Sequence, residues 1–278
     1  MERFRISAIS YLNTAPLMWD FEHGKTRGDF DIAYTVPSLC AAELQAGTAD
    51  IGIVPVAAYT TVPGLVIIPG VAIASVRPVR SILLVSKSPL EDIRSVALDT
   101  SSLTSVALTK VLFARWWGGE RSFVAMPPDL QSMLRSSDAG LLIGDPALHV
   151  DRSRYYTFDL AEEWIRLTGK PFVFAFWAVR RQALKHARPN SDLAAIFRQS
   201  RDHGLAPENL GKIAEQWSPR VGLTEAEVRT YLTENIHHYL DEACLEGLQL
   251  FLRYAHECGA LPPPPALSFL PSPIPAAI

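Results

Sequence analysis

The sequence predicts an α/β protein, and three observations predict it. Apolar runs such as Ser81-Ile82-Leu83-Leu84-Val85-Ser86 are continuous rather than alternating, as strands buried on both faces require. Segments with helical spacing lie between these runs, opened by proline or closed by glycine. Several runs also end directly in small polar clusters, where open parallel sheets present ligands at their carboxyl ends.

In chain order, Arg5–Ile9 predicts the first strand, followed by the polar stretch Ser10-Tyr11-Leu12-Asn13-Thr14 and a short helix over Met18–Glu22. Asn13 or Thr14 can cap that helix, with Pro16 in its first turn. Asp31–Val36 predicts a second strand, and Pro37–Gln45 a helix stopped by Gly47. Ala49–Pro55 is a short buried strand, Leu65–Ile68 and Val71–Ser75 are two more, and Ser81–Ser86 is a central one. Val96–Leu98 precedes the cluster Thr100–Ser105 and a helix over Val106–Trp116 that ends at Gly118-Gly119. Ser122–Ala125 and Gly140–Ile143 are strands flanking a helix at Pro128–Ser136, and Phe172–Val179 is the last strong strand. Helices follow at Asp192–His203, Pro207–Gln216, Thr224–Tyr239 and Asp241–Glu257. The proline-rich tail from Leu261 suits a poorly ordered or surface-draped end rather than a helix or central strand.

A chain of 278 residues with 48% hydrophobic and 20% charged residues can bury a large core in one or two domains. The net charge of −3, with no dominant basic stripe, argues against nucleic acid as a partner. Cys40, Cys244 and Cys258 lack metal-ligand spacing and are odd in number, so buried thiols in a reducing compartment are expected. No signal peptide or membrane span is legible, which predicts a cytoplasmic protein.

Four clusters fall on candidate ligand edges: Ser10–Thr14, Val54-Pro55, Ser101–Ser105 and Gly144-Asp145. Ser101-Ser102-Leu103-Thr104-Ser105 precedes a helix, whose free N–H groups and positive dipole end suit a carboxylate or phosphate. The alternative is that Thr104 or Ser105 is only the cap. Gly144-Asp145-Pro146 reads either as a site or as an Asx-turn. Asp50 reads as a structural turn or cap. Arg77 and Arg80 read as substrate guanidiniums or as solvated loop charges. His237-His238 reads as helix surface, and no metal is inferred. No nucleotide-phosphate loop or G-x-S-x-G elbow occurs. The residues alone predict an α/β protein binding a small carboxylate anion between hydroxyl-rich turns.

Five motifs occurring in order narrow this reading: Ser10–Leu17 (SYLNTAPL), Ala49–Gly52 (ADIG), Thr100–Ser105 (TSSLTS), Leu142–Asp145 (LIGD) and Gly169–Ala178 (GKPFVFAFWA). Together, across most of residues 3–260, they resemble the chorismate dehydratases of the futalosine route to menaquinone. The resemblance implies a two-lobed fold of the type II periplasmic-binding-protein kind with the ligand in the cleft. It implies residues 1–84 plus 175–260 as one lobe, 85–174 as the other, and 261–278 as a tail. It further implies dehydration of chorismate to 3-[(1-carboxyvinyl)oxy]benzoate without cofactor or metal. Asn13 and Ser81 stand at the family's catalytic positions. Ser10, Pro55, Ser101, Thr104, Ser105, Gly144 and Asp145 are the expected substrate contacts. The sister dihydroxynaphthoate synthase carries a catalytic histidine where this chain has Gly144, which favours the dehydratase. A non-catalytic carboxylate-binding protein of the same fold is the other alternative.

Overall fold

The computed structural model describes residues 3–186 and 192–271. Ten strands form two five-stranded sheets, each mixed rather than wholly parallel. The first has the order β2-β1-β3-β10-β4, built from β1 (Phe4–Ile9), β2 (Phe30–Thr35), β3 (Ile51–Pro55), β4 (Leu65–Ser75) and β10 (Phe172–Arg180). The second has the order β7-β6-β8-β5-β9, built from β5 (Ile82–Ser86), β6 (Ser95–Asp99), β7 (Ser122–Met126), β8 (Ala139–Ile143) and β9 (Tyr156–Asp159). In the first sheet β1 runs parallel to β2 and β3, while β10 runs antiparallel to β3 and β4. In the second, β6 is parallel to β7 and β8, and β5 is antiparallel to β8 and β9.

The helices are α1 (Trp19–Glu22), α2 (Pro37–Ala46), α3 (Leu103–Leu112), α4 (Leu130–Ser136), α5 (Asp145–Leu148), α6 (Leu160–Thr168), α7 (Leu193–Gly204), α8 (Pro207–Val221), α9 (Glu225–Thr230) and α10 (Glu242–Glu257). Strands β3, β5 and β8 are buried along their whole length, as their unbroken apolar sequences require. Trp164 on α6 is fully buried against Phe172 and Phe251, and its indole N–H donates to the Pro171 carbonyl at 3.1 Å. That contact fastens the return of the chain to the first sheet.

Several expectations change. Strand β5 pairs with β8 and β9, so Ile82–Leu84 belongs to the second sheet, and the border expected after Leu84 falls before Ile82. Phe172–Phe174 likewise lies in the first sheet. An apolar run looks the same in either sheet, so only pairing decides its membership. Leu65–Ser75 is one strand with register shifts against β10, not two strands. The chain over Thr224–Tyr239 is not one helix. After α9 a π-helical turn runs over Tyr231–Asn235, and Ile236 then goes extended to let His237 bridge to Ala74 of β4. The tail lies along β4: Ser268 O accepts from Ile67 N at 2.7 Å, and Leu270 N donates to Ile67 O at 2.9 Å. Residues 272–278 lie outside the described residues. No helix among the described residues is long and apolar enough to cross a membrane.

Candidate active site

The carboxyl ends of β1, β3, β6 and β8 and the start of β5 converge on a cleft of about 500 Å³ between the two sheets. This is where an open α/β architecture leaves backbone groups unpaired.

One wall is the 3-10 turn Leu12–Met18. Its first residue is preceded by Tyr11, which is extended and makes no side-chain cap. Asn13 and Thr14 therefore sit inside the turn, and neither caps it. Both line the cleft. The Asn13 carbonyl is held by His238 Nε2 at 3.0 Å, and Asn13 Oδ1 accepts from Thr14 Oγ1 at 3.3 Å. His238 is only 1% exposed, and burial drives its imidazole down to about 4. It is thus neutral at ordinary pH, and its Nε2–H donates to Asn13.

Ser81 faces Asn13 from the second sheet. Arg80, just before it, has φ 64°, the one positive value at a non-glycine among the described residues. That conformation costs an ordinary side chain on the order of 1–3 kcal/mol and persists only where neighbours enforce it. Asp159 enforces it here. Its carboxylate accepts from Val79 N at 3.1 Å and Arg80 N at 2.6 Å while capping α6 through Ala161 N at 3.1 Å and Glu162 N at 3.2 Å. Ser81, 1% exposed, returns its carbonyl to Gly144 N at 2.7 Å and receives the Tyr231 hydroxyl on Oγ at 2.8 Å.

The hydroxyl cluster sorts itself by geometry. Ser102 is the α3 cap, accepting from Ser105 N at 3.2 Å, so Thr104 and Ser105 are not capping residues. Ser102, Thr104 and Ser105 line the cleft at the α3 N-terminus. Thr104 Oγ1 accepts from Ala57 N at 3.1 Å, which ties α3 to the turn after β3 and leaves the hydroxyl proton free to donate. Pro55 also lines the cleft.

Three expected contacts stand elsewhere. Ser10 is exposed on a neighbouring groove with Glu22 and Trp217, because its N–H continues the β1–β2 ladder to Thr35 O at 3.1 Å. Ser101 gives its N–H and hydroxyl to Asp99 Oδ1, at 2.8 and 2.6 Å. Asp145 is not among the lining residues and accepts from Leu12 N at 3.3 Å, tying the two sheets together; burial raises its carboxyl. Gly144 does line the cleft, at φ 66° beneath the Tyr11 ring.

Arg77 is exposed and neither Arg77 nor Arg80 lines the cleft, as solvated loop charges would stand. Asp50 is structural: burial alone would raise it, but Arg5 and Arg180 outweigh burial and hold it at about 2. His237, Asp241 and Cys244 bring possible ligand atoms within 4.8 Å of one another. Capping explains them, since Asp241 accepts from Cys244 N at 2.9 Å and pairs with His237 at 2.7 Å.

Sequence reasoning missed Tyr231 and His238. Both lie where a continuous helix was expected, and His238 was placed on its surface. No local pattern marks either one, because each acts through a partner more than a hundred residues away in the chain.

The fold is that of the periplasmic binding proteins. The chain aligns with the alkanesulfonate-binding protein SsuA of Xanthomonas axonopodis at TM-score 0.64 and 16% identity, over 94% of each chain. It aligns with the Candida albicans CA3427 gene product, described as having the generic periplasmic binding protein fold, at TM-score 0.68 and 12% identity, over 94% of this chain and 92% of that one. The sequence is more specific: the profile of the menaquinone biosynthesis family matches residues 4–257, and the chain belongs to that family. It is 30% identical to the chorismate dehydratase of Thermus thermophilus over 271 residues, covering 90% of this chain and 94% of that protein.

Proposed function

We propose that this chain is a chorismate dehydratase, a hydro-lyase that converts chorismate to 3-[(1-carboxyvinyl)oxy]benzoate. The observation that carries the reading is the meeting of Asn13 and Ser81 across one cleft, from strand ends in two different sheets. The 30% identity to a chorismate dehydratase supports it.

In this reading the two sheets are the lobes that close on the substrate. A ring carboxylate lies at the α3 N-terminus, where the helix dipole and the Thr104 and Ser105 hydroxyls receive it. No histidine, lysine or acidic side chain lines the cleft among the described residues. The enolpyruvyl carboxylate of the substrate takes the ring proton, and the neighbouring ring C–O bond breaks. The departing oxygen regains that proton and leaves as water, while the ring becomes aromatic. The protein then has to orient the substrate and hydrogen-bond the leaving oxygen, the roles assigned to Asn13 and Ser81.

Gly144 favours this reading over the sister dihydroxynaphthoate synthase. A Cβ at this position would lie 2.9 Å from Tyr11 Cε2, so a histidine there would have to displace the Tyr11 ring.

The test is incubation of the purified protein with chorismate, followed as ultraviolet absorbance of the aromatic product. Product formation is expected, and the Asn13→Ala, Ser81→Ala double variant should lack it. Tight binding without turnover would point to a binding protein instead, and a double variant as fast as wild type would remove both residues from the mechanism.

A further inference from the structure

We propose that Tyr231 is the positioning residue of the site, donating its hydroxyl proton to Ser81 Oγ and so aiming the Ser81 proton into the cleft; this rests on the dehydratase reading.

Tyr231 is 1% exposed and does not line the cleft. It stands behind Ser81. Its hydroxyl lies 2.8 Å from Ser81 Oγ. Donor and acceptor roles follow from what each group has to give. The Tyr231 hydroxyl is the donor in its contact with Ser81. The single Tyr231 proton then goes to Ser81 Oγ. Ser81 has accepted on its oxygen, and its own proton remains for the cleft.

The direction matters chemically. A serine that points its proton at a leaving hydroxyl assists departure, whereas one that spends its proton on a neighbour offers only lone pairs. Successive bonds of this kind also polarise one another, so Ser81 becomes a better donor than an isolated serine. Burial, with the Asp145 charge also contributing, raises the Tyr231 hydroxyl above its ordinary range, so the proton it donates stays in place.

The backbone shows how the tyrosine is delivered. The helix α9 gives way to a π-helical turn at Tyr231, an irregularity frequent at functional sites. The following segment is pinned on both sides of the sheet crossing: Asn235 Nδ2 donates to Pro78 O at 2.9 Å, Ser75 Oγ donates to Asn235 O at 2.9 Å, and His238 holds Asn13. One stretch, residues 231–238, thus fixes Asn13, Ser81 and the crossover between them.

The experiment uses the full chain and chorismate. Tyr231→Phe keeps the ring and its packing and removes only the hydroxyl. Its kcat should fall about tenfold or more, as loss of one productive hydrogen bond predicts, with KM within about twofold. In the Ser81→Ala background the same change should cost nothing further, which a purely structural tyrosine would not reproduce. Should the phenylalanine protein be unstable, 3-fluorotyrosine at position 231 keeps the fold and strengthens the donor, and kcat should then change while KM does not. Undiminished turnover in Tyr231→Phe, a loss that adds in full to that of Ser81→Ala, or an unaltered kcat in the fluorinated protein overturns the relay alone. A wild-type protein that leaves chorismate unchanged overturns the proposed function, and the relay with it.

Discussion

The Tyr11 ring lies over Gly144 so closely that a Cβ there would sit 2.9 Å from Cε2 and 3.0 Å from Cζ. The contact joins the polar turn after β1 to the end of β8, and therefore one sheet to the other. Gly144 also has φ 66° with ψ −150°, a combination open to glycine and costly for other residues. Two independent constraints fall on one position. Gly144→Ala should lose about 1–3 kcal/mol of stability from the backbone alone. It should also lose chorismate turnover as Tyr11 is pushed into the cleft. Gly144→His should lose both more completely and gain no activity on the sister enzyme's substrate, since specificity resides in the whole pocket. Melting temperature and both activities, measured side by side, check this. A stable, fully active Gly144→His protein would show that the turn leaves the active site untouched.

In the proposed reading Thr104 has two tasks. Its oxygen accepts the buried Ala57 N–H, and its proton is available to a bound carboxylate. Thr104→Val should raise KM roughly ten- to a hundredfold, the value of a lost bond to a charged group. It should also destabilise the protein by about 1–3 kcal/mol, because Ala57 N is left unpaired. Thr104→Ser should restore both. Steady-state kinetics with denaturant melts distinguish this from a merely structural threonine, which would change stability and leave KM alone.

His238 predicts an acid-side loss of stability. Its folded pKa is about 4, below an unfolded value near 6.5, so the unfolded chain binds the extra proton across that window. The stability it contributes is complete above about pH 6.5 and declines as pH falls toward 4. His238→Gln retains a donor for the Asn13 carbonyl but does not titrate. Between pH 7 and pH 4 its melting temperature should fall less steeply than that of wild type. Parallel curves would show that His238 protonation is not part of the acid response.

Asp159 holds the strained peptide that delivers Ser81. Asp159→Ala frees Val79 N and Arg80 N together with the α6 cap, and should cost about 2–4 kcal/mol. The kcat should fall as well, since Arg80 can then relax and Ser81 moves with it. Arg80→Gly removes the positive-φ penalty and should raise stability by about 1 kcal/mol with turnover kept. Urea denaturation of the two variants checks both signs, and a destabilised Arg80→Gly would mean that the arginine side chain contributes more than its backbone costs.

The sequence by itself determined the strands that are buried throughout, such as β3, β5 and β8, because a continuous apolar run is a local property. It also placed polar groups at the ends of β1 and β6, and Asn13, Thr14, Ser102, Thr104 and Ser105 among them line the cleft together with Ser81. Tertiary structure alone decided which sheet β5 joins, since its composition suits either and its partners β8 and β9 come later in the chain. It decided that Ser101 and Asp145 engage Asp99 and Leu12, and that Ser10 faces a neighbouring groove, rather than the cleft. It also stopped the helix after Thr230 and buried Tyr231 and His238 behind Ser81 and Asn13. Helix propensity is worth a few tenths of a kcal/mol per residue, and a bridge to β4 with two buried hydrogen bonds outweighs it. Polar side chains of the same type can cap, bridge or bind, and the choice among these belongs to partners that a linear pattern does not display.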